Sequence, residues 1–315
     1  KKRQTIQKPA FNRLLLKWNL EQNDRKMPWK GEKNPYRIWL SEIILQQTRV
    51  EQGLNYYNQF IKVFPDVHRL ARAPEEKVFK LWEGLGYYTR CRNLIGTAKF
   101  ISKTLKGKFP DNYIDILSLK GVGPYTAAAI SSFAFNLPHA VVDGNVFRVL
   151  ARVFGIKTPF DSSAGKKYFT ELANELLDKK HPGLYNQAIM DFGATICKPS
   201  APLCTTCVFR KHCSAFIHNN VNELPVKEKK IKIRRRWFYY LVLEYKSTVA
   251  IRRRTVKDIW QGLYEFPLIE TGKQTALKNI LLQGEKNKWL EKKQYEVVHS
   301  SSLQKQQLSH QLIQE

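Results

Sequence analysis

The sequence predicts a mainly helical protein followed by a smaller α+β domain, and three observations carry that expectation. From Phe11 to about Phe216, apolar residues recur at three- and four-residue spacing with short Gly/Pro punctuation between segments, the period of amphipathic helices. Between about Asn219 and Arg236 the composition turns to charge, with Lys227-Glu228-Lys229-Lys230 and Arg234-Arg235-Arg236. Beyond it, Trp237–Tyr245 and Val249–Arg253 are rich in β-branched and aromatic residues, as strands are. The expected organisation is a helical domain over 1–219, a basic linker over 220–236 that also touches phosphate or is simply solvated, and a second domain over 237–315.

Individual elements follow in order. Asn34-Pro35 opens a helix, with a capping side chain before a proline at the first helical position. Helices are expected over Tyr125–Phe135 and Val146–Phe154, and Lys246-Ser247-Thr248 reads as the turn of a hairpin. No repeat of fixed period is present.

At 315 residues with 43% hydrophobic content, the chain has material for two cores. The 53 Lys+Arg against 27 Asp+Glu give a formal net charge of +26. Both parts share it: 19 basic against 10 acidic from Asn220 onward (+9), and 34 against 17 before it (+17). A polyanionic partner lying along both parts fits this balance, against a basic surface kept for solubility or membrane attraction. No apolar run approaches the roughly 18 residues a spanning helix needs, and Lys1-Lys2-Arg3-Gln4 leads into no apolar signal segment. The chain therefore reads as soluble and intracellular, and a monomer of a bacterial cytoplasm is the expectation.

Four of the five cysteines are spaced Cys197-x6-Cys204-x2-Cys207-x5-Cys213, with Cys91 far upstream as a small buried hydrophobe. Such clustering suits a metal site in a reducing compartment. An iron–sulfur cluster and a four-cysteine zinc site compete, and the single Cys-x2-Cys pair favours the cluster. Leu119-Lys120-Gly121-Val122-Gly123-Pro124 places two glycines before a helix; without side chains, Gly121 and Gly123 let backbone N–H groups approach a phosphate. Asp143, in Val142-Asp143-Gly144-Asn145, precedes an amphipathic helix, as a cap or as a carboxylate kept ionised by the helix dipole. Glu42 lies in Tyr36–Thr48, apolar nearly all round, with Ile38, Trp39, Leu45 and Gln46 as helical neighbours and no base among them. A glutamate buried there has a raised pKa and can act as a general acid, unless it reaches a wet face or a tertiary partner. Glu42 and Asp143 are thus a carboxylate pair pushed in opposite directions, as glycosidic cleavage uses.

The cysteine spacing, the Gly-x-Gly hairpin and the aspartate about twenty residues later, taken in this order, resemble the helix-hairpin-helix DNA glycosylases, above all the MutY-type adenine DNA glycosylases, and the likeness spans essentially the whole helical region. The resemblance implies two helical lobes with an iron–sulfur loop at 197–213 and a [4Fe–4S] cluster held by Cys197, Cys204, Cys207 and Cys213, beside Arg210, Lys211 and His212 facing phosphate. It implies that Glu42 protonates the adenine ring and that Asp143 stabilises the sugar cation, by charge or through a covalent intermediate, with Asn145 beside it. Tyr125 stands where endonuclease III-type relatives carry a catalytic lysine, which favours a monofunctional enzyme. Gln47 and Tyr87 match residues that enter the base stack, and Arg25, Met27, Trp29 and Gln187 match the adenine pocket.

The second domain resembles a Nudix-like fold through Trp260-Gln261-Gly262-Leu263-Tyr264-Glu265-Phe266-Pro267. Gln274–Gln283 contains no acid where Nudix hydrolases bind metal, so phosphohydrolysis is not expected. In the family this domain reads 8-oxoguanine with a Phe-Ser-His loop; Leu308-Ser309-His310 stands in its place. The implied partner is duplex DNA containing 8-oxoguanine:adenine or guanine:adenine mispairs. The competing readings are thymine excision from guanine:thymine mispairs and a non-enzymatic iron–sulfur lesion binder.

Overall fold

A computed structural model describes residues 6–228, 233–292, 294–308 and 310–315. By internal contacts the chain falls into two units, Lys1–Lys229 and Lys230–Glu315.

Apolar surface organises the helices of the first unit. They are α1 (Lys8–Glu21), α2 (Pro35–Leu45), α3 (Val50–Val63), α4 (Val67–Arg72), α5 (Glu75–Trp82), α6 (Tyr88–Lys103), α7 (Tyr113–Ser118), α8 (Pro124–Phe135), α9 (Gly144–Phe154), α10 (Ser163–Leu176), α11 (Pro182–Thr195) and α12 (Ser214–Ile217). One core gathers α2 to α7 around Trp39, Phe60, Trp82 and Ile101. The other joins α1 to α9–α12 around Phe11, Trp18, Phe169, Phe192 and Phe209. Helix α8 belongs to both: Ala127 and Ile130 pack into the first core, Ala128 and Ala129 into the second. That is why seven consecutive residues, Thr126–Ser132, are buried; a helix apolar on every side is stable only when covered on every side.

Local chemistry sets the ends that matter for the site. Asn34 caps α2 by accepting from the N–H groups of Tyr36 and Arg37 at 3.0 and 3.4 Å, with Pro35 at the first helical position. Tyr36 and Ile38–Ile44 of α2 are buried, so Glu42 is carried inside. Between α7 and α8, Gly121 has φ +83°, and a Cβ there would come within 2.8 Å of the Asn93 side chain, so glycine is required. The Thr97 hydroxyl donates to Lys120 O at 2.8 Å and ties this hairpin to α6. Gly123 then caps α8.

The second unit is a mixed α/β fold. β1 (Arg234–Tyr240), β6 (Leu268–Thr271), β7 (Lys305–Gln307) and β8 (Gln311–Gln314) form one sheet in the order β6-β1-β8-β7, with β1 and β8 parallel. β2 (Glu244–Tyr245) with β3 (Thr248–Val249), and β4 (Arg252–Arg253) with β5 (Tyr264–Glu265), are separate ribbons. The hairpin turn is two residues long, Lys246 and Ser247, both at positive φ, and the expected first strand is interrupted after Tyr240. Arg236, 5% exposed, is held by Glu270 and Asp258; paired this way, the charge can be tolerated inside. Helix α13 (Leu277–Lys286) covers the segment that lacked acids, and Glu285 near its end accepts from the Tyr295 hydroxyl. Among the described residues, no helix is long and apolar enough to cross a membrane.

Candidate active site

Three side chains from three elements of the first unit meet: Glu42 from α2, Tyr125 from the first turn of α8, and Asp143 at the N-cap of α9. Glu42 is 7% exposed. Burial pushes its pKa up to about 7; a hydrogen bond from Tyr125 pulls the other way, and the Asp143 charge adds to the rise. A substantial protonated fraction near neutral pH follows, which is what a proton donor needs. The partner Glu42 finds is thus a phenol, not a base. The Tyr125 hydroxyl is itself pushed well above its ordinary value, chiefly by burial and then by the Glu42 and Asp143 charges.

Asp143 is a cap and more. Its Oδ1 accepts from Val146 N at 2.8 Å and its Oδ2 from Asn145 Nδ2 at 2.7 Å. Its pKa is raised, because burial outweighs those bonds and the Arg148 charge that favour the carboxylate. The expectation that the helix dipole pushes it in the direction opposite to Glu42 is corrected: both rise, and the hydrogen bonds and the Arg148 charge that favour the Asp143 carboxylate only oppose the cost of burial.

Arg148, one turn into α9 and 9% exposed, is not among the residues the sequence singles out. It donates to Asn145 Oδ1 at 2.7 Å, Gly193 O at 2.6 Å and Cys197 O at 2.6 Å. The chain Arg148–Asn145–Asp143 thereby fixes the carboxylate. Gly193 of α11 lets the helices approach, since a Cβ there would lie 2.6 Å from Asn145 Cβ. The spacing of Asn145 and Arg148, three apart on one helix, is the signal that could have found it.

The residues matched to base-stack insertion are both in left-handed backbone: Gln47, exposed, at φ 56° and Tyr87, 43% exposed, at φ 48°. Such conformations cost energy for a non-glycine and collect at functional loops. Arg90 joins the two loops, donating to Ile43 O, Ile44 O and Gln46 O on one side and Leu85 O and Gly86 O on the other, with its guanidinium over the Tyr87 ring. Among the residues matched to the base pocket, Trp29 packs edge-on against Tyr57 at 5.3 Å, and Met27 is half-buried, its carbonyl accepting from Lys30 N. Arg25 and Gln187 both donate to Asp191, which is fully buried.

The cysteine expectation is corrected. Among the described residues no group of three or more His, Cys, Asp or Glu side chains could hold a metal ion, so neither the [4Fe–4S] cluster nor an iron–sulfur loop stands for Cys197, Cys204, Cys207 and Cys213. All four are free thiols, and two have other partners: Cys213 Sγ donates to Arg152 O, and Cys197 Sγ accepts from Arg152 at 3.5 Å. Burial, then the neighbouring Cys197, raises Cys204; burial also raises Cys213 and pushes Cys207 up to about 12. The 197–213 segment is secured instead by buried arginines: Arg148 at Cys197 O, Arg152 at Lys198 O and Pro199 O.

In the second unit, Leu308 packs against the small core of Phe238, Leu268 and Ile313, and His310 O accepts from Arg234 N. Ser309 lies outside the described residues.

The family model of the HhH-GPD superfamily base excision DNA repair proteins matches residues 40–177. An adenine DNA glycosylase of Buchnera aphidicola subsp. Baizongia pistaciae (strain Bp) is 37% identical over 263 residues, covering 82% of this chain and 73% of that one. The adenine DNA glycosylase of Homo sapiens is 40% identical over 65% of this chain and 39% of its own. Among solved structures, a thermostable thymine-DNA glycosylase superposes with a TM-score of 0.62 at 30% identity, over 67% of this chain and 97% of that one. An endonuclease III–DNA complex shares the fold at 20% identity, with a TM-score of 0.58, over 68% of this chain and 98% of that one. The similar sequences come from bacteria, a plant, mammals and a fission yeast, so a bacterial source is not singled out.

Proposed function

The chain belongs to the adenine DNA glycosylases of the HhH-GPD superfamily and is a DNA glycosylase of base excision repair, and from that premise we propose that it hydrolyses the N-glycosidic bond of adenine mispaired with 8-oxoguanine or guanine. The carrying observation is the buried Glu42, its pKa near 7, bonded to Tyr125 with Asp143 in electrostatic reach. Glu42 gives its proton to a ring nitrogen of the flipped base. The bond from C1′ to the base then breaks with its electron pair on the base, and the sugar is left as an oxocarbenium cation facing Asp143. Water adds to C1′ and gives a proton to the Glu42 carboxylate left by the first step, leaving an abasic site. Hydrogen bonds from Val146 N and Asn145 hold the Asp143 carboxylate in place while positive charge develops.

Tyr125 offers a phenol and no amine at the head of α8, which supports hydrolysis without strand cleavage. Gln47 and Tyr87 serve as the residues that enter the stack when the base leaves it, with Arg25, Met27, Trp29 and Gln187 receiving the base. The N–H groups of the Gly121–Gly123 hairpin take a phosphate, and the 308–310 stretch serves recognition of the opposite base.

A second reading is thymine excision from guanine:thymine mispairs, favoured by the likeness to the thymine-DNA glycosylase. End-labelled duplexes carrying 8-oxoguanine:adenine, guanine:adenine or guanine:thymine separate the two on a gel. Adenine-strand breaks that appear only after alkali are expected. Breaks in the thymine strand instead select the second reading, and breaks without alkali contradict the monofunctional assignment.

A further inference from the structure

One fully buried carboxylate behind the base-pocket residues has no role in the chemistry above. Asp191 of α11 is 0% exposed and accepts four hydrogen bonds: from Arg25 at 2.8 Å and Gln187 Nε2 at 2.9 Å on Oδ1, and from Asn23 Nδ2 at 2.9 Å and Lys30 Nζ at 3.0 Å on Oδ2. Three of those donors come from the segment between α1 and α2, and the fourth lies one turn back on α11. Lys30 Nζ also donates to Arg25 O, and Asn23 Oδ1 accepts from Arg25 N. The segment that carries Arg25 is therefore bound to α11 through this side chain, and α11 meets the Asp143 cap a few residues on, where Gly193 packs against Asn145.

The chemistry of the acceptor matters more than the number of bonds. An ionised carboxylate can only accept, whereas a primary amide has a donating and an accepting end. With Asp191 beside it, the Gln187 amide must turn its NH2 inward. Its Oε1 has no donor among the described residues and is not buried. Gln187 thus presents an acceptor outward.

We propose that Asp191 is a positioning residue that sets substrate specificity: by locking the Gln187 amide with its oxygen outward, it selects a purine carrying an amino group at C6 over one carrying a carbonyl there. An exocyclic amine donates to that oxygen. A C6 carbonyl, itself an acceptor, meets lone pair to lone pair and is rejected, because a polar contact that cannot be paired is costly in a water-poor pocket. The inference rests on the reading of Gln187 as a base contact.

The test compares single-turnover excision of adenine and of hypoxanthine from otherwise identical duplexes. Each variant's adenine-to-hypoxanthine rate ratio is referred to that of the unaltered protein, so that the intrinsic leaving ability of the two bases cancels. Asp191→Asn offers either end of an amide to Gln187, frees it to turn over, and is expected to lower the ratio about tenfold or more. A merely structural loss slows both bases alike and leaves the ratio unchanged, and that result overturns the proposal. Gln187→Ala separates the premises. A ratio unchanged by Gln187→Ala removes the base-contact reading and the inference with it, whereas a ratio collapsed by Gln187→Ala but not by Asp191→Asn removes the inference alone. Circular dichroism and retained affinity for abasic-site DNA verify folding. If Asp191→Asn is unfolded, Asp191→Asn/Lys30→Met, which removes the charge together with one of its cationic partners, is measured by the same ratio and judged by the same outcomes.

Discussion

Glu42→Gln is expected to abolish measurable base excision while leaving affinity for mispaired DNA close to that of the unaltered protein. The amide fills the same space on α2 and can still accept from Tyr125, so the fold has little reason to change. It cannot, however, transfer a carboxylic acid proton, and positioned general acids contribute about 10²–10⁴-fold to rate. Because burial makes this proton available near neutrality, the loss should be in the chemical step and not in binding. Single-turnover rates at saturating enzyme, beside a gel-shift titration, separate the two. Excision by Glu42→Gln within threefold of the unaltered rate would remove the acid role.

Asp143→Asn is the second large effect, for a different reason. Asparagine caps a helix about as well as aspartate, and its Oδ1 can still accept from Val146 N, so thermal stability should move little. What disappears is a fixed negative charge facing the sugar. Electrostatic stabilisation of a developing charge by a preorganised group is worth about 10²–10³ in rate, and a fall of at least that size in single-turnover excision is expected. The contrast with stability is the informative part. A variant that melts well below the unaltered protein would show that Asp143 acts mainly as a cap, and one that melts normally but excises normally would exclude it from the chemistry.

Much of this was legible in the sequence because it is local. The helical period carries the first unit, and Asn34-Pro35 opens α2 in the structure as the residue types require. Burial of Glu42 followed from an apolar surround within one helix. What was not legible is long-range. Asp191 gathers Arg25 across 166 positions and Lys30 across 161, and no pattern within one helix announces such a partner, although Gln187 and Asp191 do stand four apart on one face. The direction for Asp143 is not legible for a related reason: the cap is a local feature, whereas the desolvation that outweighs it comes from elements packed around it. The cysteine spacing suggested a cluster that the folded segment does not assemble among the described residues, where two sulfurs bond Arg152 instead. Leu308, read as part of a recognition loop, packs on a core made of Phe238, Leu268 and Ile313, which only the folded sheet brings together.

The most direct test is a titration of the Glu42 side chain itself, by carbon-13 NMR of protein labelled at glutamate carboxyl carbons, with the Glu42→Gln variant identifying the signal. A pKa raised by burial means the group is protonated below its folded value and loses its proton as pH rises through it, so a midpoint near pH 7 is predicted. A carboxylate that titrates in the ordinary range near 4.5 would be fully charged at neutral pH with no proton to give, contradicting the mechanism.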